Sequence, residues 1–288
     1  MRRLVVIGCG YTAKRFVTLH GESFDAVDVT ARSPDKAALL AAEGLRAHSF
    51  DGSALAPALK EALERATHLL VSAPPDDLGD PTLRAAGAAL RAAPDLAWIG
   101  YLSTIGVYAD ADGGWVDETT PPEADSLRGA RRIAVEREWL ALGAETGVPT
   151  QIFRLAGIYG PGRSQIENLK AGTAKRLVKP GQVFNRIHVD DIAAALAAGI
   201  ARPQAGPIVN VTDDEPAPPQ DVVAYAADLL NVPPPPEVAF ETADISPMAR
   251  SFYSSNKRVA NRVLREALGV DLAYPTYREG IAALAREG

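Results

Sequence analysis

Short apolar runs recur along this chain, separated by stretches in which apolar residues fall at helical spacing. Leu4-Val5-Val6-Ile7 contains no polar position, which suits a strand buried on both faces of a parallel sheet. Residues 24–30, 45–50, 68–72, 96–104 and 151–156 read as further strands. Helical patterns occupy residues 37–43, 54–65, 81–93 and about 126–146, with Leu55, Leu59 and Leu63 four apart on one face. Gly44 suits a helix C-terminus, Pro81 a helix start, and Gly147-Val148-Pro149 a stop. The Ala-rich residues 192–201 read as one more packed helix. Regular alternation of strand and helix predicts an α/β fold, a doubly wound parallel sheet of Rossmann type with right-handed connections.

Bulk properties narrow the partners. The formal net charge is −6, with 23% charged residues and no long basic run, which argues against nucleic acid and anionic membrane surfaces. No apolar run approaches the roughly 18 residues that span a bilayer. Met1-Arg2-Arg3 before residues 4–7 imitates a leader, but Gly8, Gly10, Lys14 and Arg15 interrupt the apolar part. The single cysteine, Cys9, excludes an internal disulfide and suits a reducing compartment. A cytoplasmic protein is the expectation. The Pro-rich residues 216–219 and 233–236 read as stiff connectors, the second with a polyproline ligand as its alternative.

Candidate chemistry begins directly after the first strand. Gly8-Cys9-Gly10-Tyr11-Thr12-Ala13 fits the dinucleotide pattern G-x-G-x-x-[G/A]. In that pattern Gly8 permits the tight turn, Gly10 the approach of a pyrophosphate, and Ala13 the packing of helix on strand. Backbone N–H groups at Tyr11 and Thr12 would face the phosphates from a helix N-terminus. A plain Gly-rich turn is the competing reading. At the end of the second strand, Arg32 and Ser33 stand where NAD-binding units place an acidic residue. A guanidinium and a hydroxyl suit a 2′-phosphate, so NADP is favoured with NAD possible; a solvated turn arginine is the alternative. Asp28 lies too early in its strand for the ribose role. Asp51 and Gly52, Ser72, Ala73 and Pro74, and Leu155 lie at or beyond the ends of later strands and complete the candidate cofactor edge.

Ordered motifs then continue to the C-terminal region. They are the Gly-rich turn, residues 103–108, residues 154–162, Ile187-His188-Val189-Asp190-Asp191, and Asn210-Val211 before Glu215-Pro216. Residues 256–258, Leu268-Gly269 and residues 274–280 follow. Together they resemble the extended or atypical short-chain dehydrogenases/reductases of the NAD-dependent epimerase/dehydratase family. The resemblance implies a Rossmann domain of residues 1–160 and 184–211, with a smaller substrate lobe of 161–183 and 212–288.

It also implies a catalytic set that this chain lacks. Family members use a Ser or Thr after strand five and a Tyr-x-x-x-Lys pair on the next helix. Thr104 matches the hydroxyl residue and Glu136 an acidic residue eight after the Tyr, which places Arg128 and Arg132 at the Tyr and Lys positions. Arginine keeps its proton near neutral pH and cannot shuttle it. Tyr108 is the nearest replacement donor, with a packing role as its alternative. Arg128 and Arg132, four apart, are expected on one helix face, either binding an anionic group or lying solvated on the surface. Gly157 stands where many sugar-nucleotide members carry Asn. The adjacent Asp190 and Asp191 are expected as N-cap and helix-dipole partners, not metal ligands. His20, His48 and His68 are read as structural. Two functions follow: an NADP-dependent reductase, epimerase or dehydratase-like enzyme acting on a small molecule, or an NADP-binding regulator. A homodimer is compatible with either.

Overall fold

In the computed structural model, which describes residues 1–287, the unbroken apolar run becomes β1 (Arg3–Ile7), an interior strand of a seven-stranded sheet. The others are β2 (Ala26–Ala31), β3 (Arg46–Ser49), β4 (His68–Val71), β5 (Trp98–Thr104), β6 (Thr150–Leu155) and β7 (Ile208–Val211). They run β3-β2-β1-β4-β5-β6-β7, and every ladder is parallel. β1 shows why its sequence has no polar position. Leu4 and Val6 enter the core on one face of the sheet; Val5 and Ile7 enter the core on the other. The strand order reverses between β1 and β4, and ligands in open α/β sheets bind beyond the carboxyl ends at such a switch.

Helices α1 (Tyr11–His20), α2 (Pro34–Ala42), α3 (Pro57–Glu64), α4 (Pro81–Ala92) and α5 (Leu127–Thr146) connect the strands. Their starts are set by local caps: Ser33 before Pro34, Asp80 before Pro81, and Ser126 before Leu127. The Ser33 cap is why α2 begins three residues before the expected 37. Leu59 and Leu63 of α3 are fully buried against the sheet, as their spacing requires. α7 (Val189–Ala201) packs its Ala-rich face beside α1 under the opposite sheet face.

The second lobe has its own core, in which Tyr159, Ile166, Val222, Ala226, Tyr277, Ile281 and Leu284 bring together α6 (Gln165–Lys170), α8 (Pro219–Leu229) and α10 (Tyr277–Glu287). A short α9 (Pro247–Ser251) lies nearby in sequence. The lobe is not continuous from 212 onward, however. Arg258–Val259 pairs with Trp115–Val116, and Leu264, Leu268, Val270 and Leu272 sit in the main core with Leu196 and Val211. That stretch rejoins the sheet domain because its apolar side chains cover a face of β7 and α7 that would otherwise meet water. No helix among the described residues is long and apolar enough to cross a membrane.

Candidate active site

The Gly-rich turn is sewn to both neighbouring strands. Gly8 N donates to Thr30 Oγ1 at 2.8 Å and Cys9 N to the Thr30 carbonyl at 2.7 Å. Gly8 has φ +87°, and a Cβ there would stand 2.8 Å from Ala73 N. Ser72 N and Ala73 N both donate to the Ile7 carbonyl, which draws the loop after β4 onto the turn. Gly10 differs: its backbone is extended, and a Cβ would meet nothing within 4 Å. The space over Gly10 at the start of α1 is therefore open, so no side chain there bars the close approach of a pyrophosphate to the helix N-terminus. Ala13 is fully buried and Thr12 nearly so, fixing the helix on its strand. Burial pushes the Cys9 thiol up to about 11, so it stays protonated and acts as a small packing residue.

At the end of β2, Arg32 is exposed and forms no ion pair among the described residues. Ser33 has a structural job, its hydroxyl accepting from Lys36 N at 3.4 Å. Asp28 is 5% exposed and is occupied by His48 Nε2 at 2.8 Å and Arg46 at 3.5 Å. Gly8, Gly10, Tyr11, Thr12, Arg32, Ser72 and Ala73 thus gather at the ends of β1, β2 and β4. Pro74 follows on the same loop, exposed. Asp51 accepts from Ser53 N and Oγ at 2.9 and 2.6 Å, a local turn beyond β3. Gly52, with φ +96°, lies against Pro81 at the start of α4. Leu155 is buried at the end of β6.

The end of β5 carries Thr104, whose Oγ1 accepts from Gly106 N at 3.1 Å. α5 can dock on the following turn only because residue 129 is glycine: a Cβ there would stand 2.5 Å from the Gly106 carbonyl. Arg128, the residue before it, is exposed with its guanidinium 5.6 Å from the Phe252 ring centre, so it bridges α5 and the segment after α9. Arg132 turns the other way. Its Nη1 donates to Tyr101 Oη and to the Leu102 carbonyl, both at 2.7 Å. Of the two readings held for the pair, anion-binding or solvated on the surface, neither describes Arg132, because β5 offers it two buried acceptors. Tyr108 is also corrected as a proton donor. It is 1% exposed, donates to Asn210 Oδ1 at 2.9 Å and accepts from Arg154 Nη1 at 2.9 Å. Burial raises its pKa above the ordinary phenol value. Its hydroxyl is locked in the frame.

That frame went unread in the sequence. Arg154 and Glu136, 1% and 3% exposed, pair through Nε at 3.2 Å to both carboxylate oxygens and Nη2 at 2.7 Å. Ser103 Oγ donates to the same carboxylate. Asn210 N donates to Glu118 at 2.9 Å. Strands β5, β6 and β7 and helix α5 are thus joined beneath Thr104. The available signal was an arginine within the apolar part of a strand, between Phe153 and Leu155, which demands a buried partner. In the Ile187–Asp191 motif, His188 supplies the cap of α7, its Nδ1 accepting from Asp190 N at 3.2 Å. Asp190 binds Arg15 at 2.5 and 2.9 Å, and Asp191 accepts from Ala273 N and Tyr274 N at 2.7 and 3.1 Å. Both aspartates stand in the first turn of α7, the place expected of dipole partners, but His188 and not an aspartate is the N-cap, and both carboxylates reach across to other segments. His48 serves Asp28 as above, and His68 contacts Thr67 Oγ1 and the Phe24 and Trp98 rings. Among the described residues no cluster of His, Cys, Asp and Glu is arranged to hold a metal.

Comparison with known proteins places this geometry. The chain is 47% identical to a conserved protein of unknown function from Silicibacter pomeroyi, covering 100% of this chain and 99% of that one with a TM-score of 0.88. A Methylobacillus flagellatus protein, described only by its family as an NAD-dependent epimerase/dehydratase, is 26% identical over 99% of this chain and 98% of its own, TM-score 0.72. A Streptomyces protein named 3-diazoavenalumate denitrifying reductase is 28% identical over 211 residues, 69% of this chain and 66% of its own length, just under two thirds. The sequence pattern of the NAD dependent epimerase/dehydratase family matches residues 80–212, from the cap of α4 through the end of β7. Residues 80–212 of this chain thus carry the pattern of the NAD-dependent epimerase/dehydratase family, and the whole chain agrees in fold with a solved protein described by that family.

Proposed function

We propose that the chain is an NADP-dependent oxidoreductase that reduces a small anionic substrate. The observation that carries this reading is Arg32, a guanidinium without an ion pair at the end of β2, beside a Gly-rich turn that is open over Gly10. Asp28, the one carboxylate close by in β2, is already held by His48 and Arg46. The arrangement suits a 2′-phosphate and leaves no unpaired carboxylate in β2 for a free 2′-hydroxyl. The Gly-rich turn would hold the pyrophosphate and Arg32 the 2′-phosphate. Bound NADPH would supply hydride at the carboxyl ends of β4 and β5.

The chain's own residues do the rest. Thr104, next to the docked start of α5, donates its hydroxyl proton in a hydrogen bond to the substrate oxygen. Arg128 pairs with the substrate's anionic group and offsets the charge that builds on that oxygen. The proton that completes the product comes from solvent, because Arg128 and Arg132 do not titrate and Tyr108 is sealed. The Glu136–Arg154 frame keeps Thr104 in place. Reduction is favoured by the relative that is named a reductase. The lone, protonated Cys9 suits a cytoplasmic enzyme. Titrating NADPH and NADH against the protein, then following NADPH consumption across a set of carbonyl and unsaturated acids, tests the reading. Tighter binding of NADH, or no dinucleotide binding, would overturn it.

A further inference from the structure

The cations around the start of α1 divide into paired and unpaired. Lys14 is held by Glu43 and Arg15 by Asp190. Among the described residues Arg32 and Arg163 are exposed and form no ion pair. Arg32 has a place in the cofactor reading above; Arg163 has none, and it comes from the other side of the turn.

Its position is fixed by a short rigid device. Gly160 N donates to the Arg163 carbonyl at 3.1 Å and Arg163 N to the Gly160 carbonyl at 3.0 Å. Pro161 and Gly162, the latter at φ +72°, fill the centre in the residue order of a type II turn. Tyr11 Oη donates to the Pro161 carbonyl at 3.0 Å, which ties the turn to the first residue of α1. Gly160 permits this approach, since a Cβ there would stand 2.7 Å from Tyr11 Oη. The Arg163 guanidinium lies over the Tyr11 ring, 5.7 Å from its centre. A charge that binding requires to be free is thereby held beside the helix start whose N–H groups face the open space over Gly10.

Resting on the dinucleotide reading above, we infer that Arg163 is a cofactor-binding residue that pairs with the pyrophosphate, opposite the Gly-rich turn. The two unpaired arginines then divide the ligand: Arg32 distinguishes NADP from NAD, and Arg163 serves both alike.

Calorimetric titration of wild type, Arg163→Ala, Arg163→Lys and Arg32→Ala with NADP⁺ and NAD⁺ separates the two roles. Arg163→Ala should weaken both dinucleotides by the same factor, roughly tenfold, as for one charge-assisted contact. Arg163→Lys should recover part of that loss, and the salt dependence of binding should be shallower in Arg163→Ala than in wild type. Unchanged melting temperature of the unliganded Arg163→Ala protein checks that its fold is intact. Wild-type affinity for both ligands in Arg163→Ala, with Arg32→Ala still losing NADP⁺, overturns the inference and leaves the cofactor reading standing. A loss confined to NADP⁺ in Arg163→Ala also overturns it. If wild type binds neither dinucleotide, the cofactor reading falls and this inference with it.

Discussion

Replacing Arg154 with Met should destabilise the protein far more than an ordinary surface change. Arg154 is 1% exposed and gives three hydrogen bonds to the Glu136 carboxylate and one to Tyr108. Methionine fills much of the same volume, so the cost is electrical more than steric. The Glu136 carboxylate would keep only the Ser103 hydroxyl as a donor, at 3% exposure. Removing one partner of a buried pair costs about 3–5 kcal/mol. At about 2–4 °C per kcal/mol for chains of this order, the melting temperature should fall by roughly 6–20 °C. The companion variant Arg154→Met/Glu136→Leu removes both charges and should recover most of that loss. Urea or thermal unfolding of wild type, both single variants and the double variant completes the cycle. A loss under about 1 kcal/mol in Arg154→Met, or a double variant as unstable as the sum of the singles, would refute the reasoning, because the pair would then not be coupled.

Gly10→Val should abolish dinucleotide binding in a titration with the fold retained by circular dichroism, since its side chain enters open space. Gly8→Ala should instead lower the melting temperature, because it combines a positive φ with a 2.8 Å approach to Ala73 N, a strain of order 1–3 kcal/mol. The two guanidiniums of α5 should separate in the same way. Arg132→Ala should cost about 1–3 kcal/mol of stability through its lost contacts to Tyr101 and Leu102. Arg128→Ala should leave stability within about 0.5 kcal/mol and raise KM for an anionic substrate; the opposite pattern would exchange their roles. Burial pushes Asp213 from 3.8 up to about 8, so between about pH 4 and 8 the folded chain retains a proton that the unfolded chain has released. Stability from this group therefore falls as pH rises through that window and levels off above 8. His68 and His188, pushed by burial from 6.5 down to about 4, act in the opposite sense but only below about 6.5. Unfolding measured at pH 6.5 and 8 should show a fall of about 1 kcal/mol or more in wild type and a flatter response in Asp213→Asn. Equal slopes would remove Asp213 from the account.

The sheet, its helices and the shape of the Gly-rich turn were legible along the chain. These depend on residues close in the chain. The unbroken Leu4–Ile7 run must be buried on both faces, Leu59 and Leu63 repeat at helical spacing, and Ser126 caps the helix that begins beside it. Gly8 was legible because a tight turn after a strand makes a local demand on φ. Where the polar side chains went depended on the packing of distant segments. Arg128 and Arg132 share a helix and a spacing of four, yet one reaches toward Phe252 and the other bends to β5, because the partners of each lie far along the chain. Tyr108 became a frame residue through Asn210, Glu136 through Arg154, and Asp191 through the backbone at Ala273 and Tyr274. The return of Leu264–Leu272 to the main core was hidden for the same reason. Apolar periodicity states that a face must be covered, but only the assembled strand order states what covers it.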